Sequence, residues 1–553
     1  MNERRWTALY PQAVTDARPV GHTSLAEAWR ERVRREPDAR ALAYFDGAMT
    51  VREADEASDA LAAAYRSLGT RHGDRVGIYL QNIPQFALSF LALWKLGATA
   101  LVLNPMYRGQ ELRRLIDDSG AVGVVCADAD VPQVSETLSG SSVRWTVSTS
   151  PLAFQTRDDP RVFGETERKA PASHGDLEEL IERFRGDVVE SPELTPDDVA
   201  LLTYTSGTTG PPKGAMNTHG NVLSVAAGFA TWVGLRPGDA VYAMAPLFHI
   251  TGSVINAVIA MMHDAVLVLT GRFRPEVAID AFVEHQVTFT IGSITAFNAI
   301  YQLPHASREH FASMKSVYSG GAPIPPSTIE RFRERFGVYI HNVYGMTETS
   351  SGVIAVPLGA EAPVDEASGT LSIGVPLPGL DARVVNAADE PVGPGEQGEL
   401  ALRGPQVVPG YWRKPEATAS TMPGGWLHTG DGAIMDAAGW VYLVDRLKDQ
   451  INTSGYKVWP REVEDALYAH PAVHEVAVVG RPDDYRGETV VAYVSLKAGE
   501  SAEEKELIAF TRGRLAAYKC PREIHLVSDL PKTQTGKIRR NVLRDGDGPG
   551  AGQ

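Results

Sequence analysis

Hydrophobic positions along the chain alternate between two spacings. Residues 73–80 (GDRVGIYL) form a short apolar run of strand length. Residues 84–96 then follow helical spacing, with Pro84 in the first turn and Gly97 just past the end. Residues 98–103 are again strand-like, 110–119 helical and 122–126 a strand. This β-α-β-α-β order predicts a mostly parallel sheet covered on both faces. The same alternation returns around 240–245, 265–269 and 288–292, whereas 148–192 is polar and irregular and reads as a surface excursion.

The pattern changes character twice more. Residues 374–410 are rich in glycine and proline with short β runs such as 398–402, predicting a small barrel or antiparallel subdomain. After Asp445-Arg446 come a helix (461–469), two strands (474–480, 489–496), a helix (502–516) and a strand (523–527), a compact α+β unit. The glycine-rich segment 545–553 has no apolar anchor and is expected to be disordered. The greasiest stretches, 86–103 and 254–270, are broken by Lys95 and by His263-Asp264. Both read as buried helix-plus-strand, so no transmembrane segment is expected.

Composition narrows the class. A chain of 553 residues exceeds one ordinary core, and 43% hydrophobic with 22% charged residues suits a globular enzyme. A net charge of −15 argues against a nucleic-acid partner, since phosphate backbones need a basic field. Two cysteines, Cys126 and Cys520, make no disulfide framework and fit burial in a reducing compartment. Residues 1–6 are charged and lead into polar sequence, which does not read as a secretory signal, so a cytoplasmic location is expected.

The most informative segment is 203–214, TYTSGTTGPPKG. Its glycines let backbone N–H groups approach an anion, its hydroxyls donate hydrogen bonds, and Lys213 adds positive charge. It lacks the GxxxxGK[ST] order of a Walker loop. This string resembles the signature of the acyl-adenylate-forming superfamily, on the side of its acyl-CoA synthetases. The resemblance continues in the family's order through YSGGAPI (318–324), VYGMTE (343–348), WLHTGD (426–431), DRLKDQINTSGYKVWPREVE (445–464) and PKTQTGKIRR (531–540).

That resemblance implies an α/β fold. A large N-terminal adenylation domain, 1–447, would carry doubly wound, mostly parallel sheets and the β-barrel-like subdomain. A small mobile α+β domain, 448–545, would follow, with a tail at 546–553. Thr205, Ser206, Gly207, Thr208, Thr209 and Lys213 would hold the phosphates of ATP. Gly321, Ala322, Pro323 and Asn342 would face the adenine, with Tyr344 offering a stacking face. Thr347 would touch the α-phosphate and Glu348 would ligate Mg²⁺. Asp431 and Arg446 would hold the ribose. Lys537, in the TGK station, would stabilise charge between acyl group and phosphate during adenylation.

Adenylation and thiol transfer want different neighbours around one carbonyl. The family meets this by rotating its small domain, with Lys448 at the hinge position here. Ser454, Gly455 and Tyr456 match the coenzyme A face, although Asn452 stands where many relatives carry lysine. The acyl pocket is expected from His249, Val254, Ile294, Phe297, Gly320, Val343 and Met346. It is apolar and has no carboxylate to hold a substrate ammonium, which disfavours amino acids. His249 is expected to gate or shape the pocket.

The implied activity is an ATP-dependent acid:CoA ligase with ATP, Mg²⁺ and coenzyme A, acting on a medium- or long-chain fatty acid. An aryl or bulky polycyclic acid, or a carrier protein as acceptor, stays open as an alternative. From a different class, a non-catalytic nucleotide-binding homologue is weighed against it, and homodimerisation is left open.

Overall fold

The structure is a computed structural model. It describes residues 4–15, 21–205, 212–322, 324–365, 370–446, 449, 451–453, 456–458, 460–483, 487–532 and 538–544. Two sheets with parallel centres form the large N-terminal domain. The first runs in the order Trp145–Thr149, Gly123–Ala127, Arg75–Tyr79, Thr99–Val102, Val199–Tyr204 and Gly214–Thr218. Only the last of these strands is antiparallel to its neighbour. The second sheet is nine-stranded. From Ile340–Met346 through Ser316–Gly320, Phe289–Gly292, Ala240–Tyr242 and Val266–Leu269 to Arg40–Tyr44 it is parallel. Antiparallel strands close both edges.

The helix Pro84–Lys95 touches strands of both sheets, and all 12 of its residues are buried. A helix apolar on every side belongs in such an interior layer. Proline opens it, and Gly97, at φ +65°, follows its end. Lys95, which interrupts the apolar run in the sequence, is buried here with its charge matched. Its Nζ lies 2.6 Å from Asp55 Oδ1 and 2.7 Å from Asp59 Oδ1, and it also donates to Ser58 Oγ at 2.9 Å. The lysine therefore ties this helix to its neighbour Val51–Ser67.

The stretch 148–192 departs from the surface excursion expected of it. Its helix Leu177–Arg183 packs on Val51–Ser67, and Leu177 and Leu180, three apart on one face, are buried. Cys126 and Cys520 are both free and buried, and burial pushes the Cys126 thiol up.

The glycine- and proline-rich region forms a four-stranded antiparallel sheet in linear order, Asp381–Val385, Gln397–Arg403, Leu427–Met435 and Val441–Arg446. The small C-terminal domain has a five-stranded sheet. Its core is closed by Val463 and Leu467 of the helix Pro460–Tyr468 and by Leu507 of Glu504–Arg512. The strands Ile451–Thr453 and Tyr456–Val458 pair antiparallel. Among the described residues, no helix is long and apolar enough to cross a membrane.

Candidate active site

The phosphate-loop signature sits at the carboxyl end of Val199–Tyr204, where open α/β sheets present their ligand sites. Val199–Tyr204 and Gly214–Thr218 pair from Val199↔Thr218 to Tyr204↔Gly214. The pairing continues one step outward, because the Thr205 N–H donates to Lys213 O at 2.9 Å and the Lys213 N–H to Thr205 Oγ1 at 3.3 Å. The loop thus leaves from a locked stem. Its members Ser206, Gly207, Thr208 and Thr209 lie outside the described residues.

Thr347 and Glu348 follow the carboxyl end of Ile340–Met346 in a tight turn. Two successive non-glycine residues there have positive φ, Ser350 at 53° and Ser351 at 122°. Such strain persists only where the surroundings hold it. Asn217 holds this turn from the neighbouring sheet, donating from Nδ2 to Thr347 O at 2.9 Å and to Ser350 Oγ at 3.0 Å. Gly345 permits the turn as well, because a Cβ there would lie 1.9 Å from Ser351 O.

Glu348 is 6% exposed, and its Oε1 accepts the Tyr411 hydroxyl at 2.6 Å. Burial, with Glu348 beside it, raises the Tyr411 pKa and keeps the phenol a donor. Lys213 Nζ lies 4.4 Å from the centroid of the same ring. Among the described residues there is no group of three or more His, Cys, Asp or Glu able to hold a metal. A single carboxylate suits Mg²⁺ that arrives on nucleotide phosphates, since that ion keeps waters and phosphate oxygens as its other ligands.

The adenine and ribose candidates come from adjacent strand ends. Gly320 must be glycine, because a Cβ there would meet Val343 O at 2.4 Å, and Gly321 has φ +81°. Asn342 donates to Ser372 O at 3.2 Å. The Tyr344 hydroxyl donates to Asp431 Oδ2 at 2.7 Å. Asp431 and Arg446 are direct partners across two antiparallel strands, so the ribose candidates start from one place. Glu399 holds the turn before Asp431, accepting the Gly430 N–H at 2.8 Å and lying 2.9 Å from His428 Nδ1.

Part of this set lines a cleft of about 880 Å³ between the two domains, whereas Thr205, Lys213, Thr347 and Glu348 are not among its lining residues. Gly321, Ala322, Asn342, Tyr344 and Asp431 line it from the nucleotide side, and Ile294, Val343 and Met346 from the acyl side. Lys532 and Ile538 line it from the small domain and pair with each other in an antiparallel bridge. Lys537 belongs to the segment between them, outside the described residues, as do Pro323, Lys448, Ser454 and Gly455. The side chains of Arg446 and Tyr456 are likewise outside the description.

Four residues expected at the acyl pocket do not line this cleft: His249, Val254, Phe297 and Gly320. Val254 lies wholly buried in a π-helical segment, Gly252–Val258. Phe297 is also fully buried and packs edge-on against Phe332 at 5.7 Å. His249 is half-buried in a turn where its Nδ1 accepts the Thr251 N–H at 3.4 Å. The cleft face of the helix Ile294–Tyr301 carries Thr295, Asn298 and Tyr301, more polar than the sequence reading expected. That reading also did not foresee Asn217, Glu399 and Tyr411, whose contacts come from far along the chain.

Comparison with known proteins follows this geometry. Residues 29–412 match the family model for the AMP-binding enzyme, and residues 462–537 match that for the AMP-binding enzyme C-terminal domain. The chain is 33% identical to a long-chain-fatty-acid–CoA ligase of Bacillus subtilis (strain 168), over 98% of each chain. It is also 33% identical to a feruloyl-CoA synthase of an Amycolatopsis species, over 93% of this chain and 97% of that one. An O-succinylbenzoate coenzyme A synthetase of Bacillus subtilis, solved with ATP and magnesium, superposes with a TM-score of 0.78 at 27% identity. That match covers 93% of this chain and 98% of that one.

Proposed function

Because the chain belongs to the AMP-binding enzyme family, on its acyl-CoA synthetase branch, we propose that it joins a carboxylic acid to coenzyme A in two half-reactions. In the first, a carboxylate oxygen attacks the α-phosphorus of ATP and pyrophosphate leaves, giving an acyl-adenylate. In the second, the thiol of coenzyme A attacks the acyl carbon; AMP departs and the thiol proton is released. The observation that carries this reading is the shared cleft. Nucleotide-side residues Asn342, Tyr344 and Asp431 face the two residues, Lys532 and Ile538, that flank the Lys537 segment.

The remaining assignments follow from the chemistry. Thr205, Lys213 and the loop between them hold phosphates, and the Thr347 hydroxyl meets an α-phosphate oxygen. Lys537 brings an ammonium to the oxygens that gain charge in the adenylating transition state. Glu348 holds the metal, and Mg²⁺ on the triphosphate, when bound, offsets the charge of the leaving pyrophosphate. A hinge at Lys448 turns the small domain between the half-reactions, and Ser454, Gly455 and Tyr456 then border the coenzyme A arm. Gly320 backs the acyl end through its close approach to Val343.

The acid is a medium- or long-chain fatty acid in this reading, in keeping with the fatty-acid ligase among its relatives. One feature favours an aryl acid instead: the polar residues Thr295 and Asn298 are among those lining the cleft, and a ring bearing polar substituents could pair with them. A panel of short, medium and long fatty acids and of aryl and bulky cyclic acids, supplied with ATP, Mg²⁺ and coenzyme A, tests both. Acid-dependent pyrophosphate exchange and AMP release are expected, strongest for fatty chains. Preference for hydroxylated aryl acids would transfer the assignment to them, and no exchange with any acid would end the proposal.

A further inference from the structure

We propose that Tyr411 is a positioning residue, coupling the phosphate loop to the metal-binding carboxylate. This rests on the reading of Glu348 as the magnesium ligand. Two contacts meet on this one side chain, and a third is made by its backbone. Its hydroxyl donates to Glu348 Oε1 at 2.6 Å, and the Lys213 ammonium stands 4.4 Å from its ring centroid. Its own backbone lies beside the stem of the phosphate loop. The Trp412 N–H donates to Gly214 O at 2.8 Å and the Met216 N–H to Gly410 O at 3.1 Å, so Tyr411 pairs with Ala215 in an antiparallel bridge.

The consequence for the carboxylate is geometric. Glu348 is buried, and a carboxylate out of water needs donors to hold it in place. The phenol supplies one donor to Oε1, which restrains the rotation of the group. Tyr411 is itself 3% exposed and is held by the Thr418 hydroxyl, which accepts its N–H at 3.0 Å. The lysine meets the face of the ring while the hydroxyl meets the acid. The two charges that a magnesium–nucleotide complex would engage are thereby kept in fixed relation without neutralising each other.

Tyr411→Phe removes the hydroxyl and keeps the ring. Calorimetry with ATP at varied free Mg²⁺ should show the metal needed for half-maximal binding raised about tenfold, with metal-free ATP affinity within about twofold of the parent. Tyr411→Leu, which also removes the ring beneath Lys213, should weaken metal-free ATP as well. In a Glu348→Gln background, Tyr411→Phe should have no further effect. An unchanged magnesium requirement in the folded Phe variant, or full additivity with Glu348→Gln, would overturn the proposal. If the Phe variant does not fold, Glu348→Asp decides: its shortened carboxylate loses the phenol and should show the same raised requirement, and parental behaviour would overturn it. The parent enzyme's own acid-dependent exchange is read in parallel, so failure of the ligase reading is seen separately.

Discussion

Tyr344 and Asp431, 87 positions apart, meet in a phenol–carboxylate hydrogen bond of 2.7 Å at the wall of the interdomain cleft. The tyrosine hydroxyl engages one oxygen of the acid and so restrains the carboxylate. With Asp431 as the ribose acceptor, Tyr344→Phe is expected to raise the KM for ATP about fivefold, near 1 kcal/mol, and to leave kcat within about twofold. Steady-state kinetics in ATP check this; a fall in kcat with KM unchanged would assign the pair to the transition state instead.

Lys537→Ala is expected to lower acid-dependent pyrophosphate exchange by at least about a hundredfold, as loss of one charge-stabilising donor does. Thioester formation from pre-made acyl-adenylate and coenzyme A should stay largely intact. Loss of both half-reactions together would contradict the division of labour between them.

Lys95→Met leaves the Asp55 and Asp59 carboxylates facing each other beneath the inner helix, where the lysine had bridged both. Breaking a buried pair from one side costs about 3–5 kcal/mol. Thermal unfolding should show a lowered midpoint, partly restored by adding Asp59→Asn. A midpoint equal to the parent's would mean that the carboxylates find water.

Glu178 carries a pH signature. Burial pushes its pKa from 4.5 up to about 7, while the Thr149 hydroxyl and Gln85 amide hydrogen-bond to it. A carboxyl raised in the folded state contributes stability that is complete below pH 4.5 and is lost as pH rises through about 7. Glu178→Gln should therefore unfold at a higher temperature than the parent at pH 8, with the gap closing toward pH 4.5. His219 and His263, lowered to about 4 by burial, act in the opposite sense in both proteins and cancel in the comparison. Parallel pH curves for the two proteins would refute the assignment.

What could be read from the residues depended on whether the signal was local. The inner helix announces itself through spacing, an opening proline and a closing glycine, and its position matches the structure. The order of the family stations carries the fold class in the same way. Contacts that depend on distant partners were silent. Nothing in Gly410-Tyr411-Trp412 points to Glu348, 63 positions earlier, whose carboxylate the tyrosine meets. The strands Ile451–Thr453 and Tyr456–Val458 are too short to show alternation and exist through pairing. In Ile294–Tyr301, periodicity separates two faces but does not say which one fronts a cavity, so Phe297 was expected at the cleft and is found in the core.

The cleft also bears on how the molecule could be divided. Its walls are contributed by both lobes, with Asp431 on one and Lys532 on the other, so neither lobe encloses the chamber by itself. A large lobe severed ahead of residue 448 would keep its nucleotide-facing strand ends but would become an open trough. An anhydride formed there would be bathed in bulk water, and hydrolysis would compete with every productive encounter. Shelter for the reactive intermediate is thus a joint possession of two folding units.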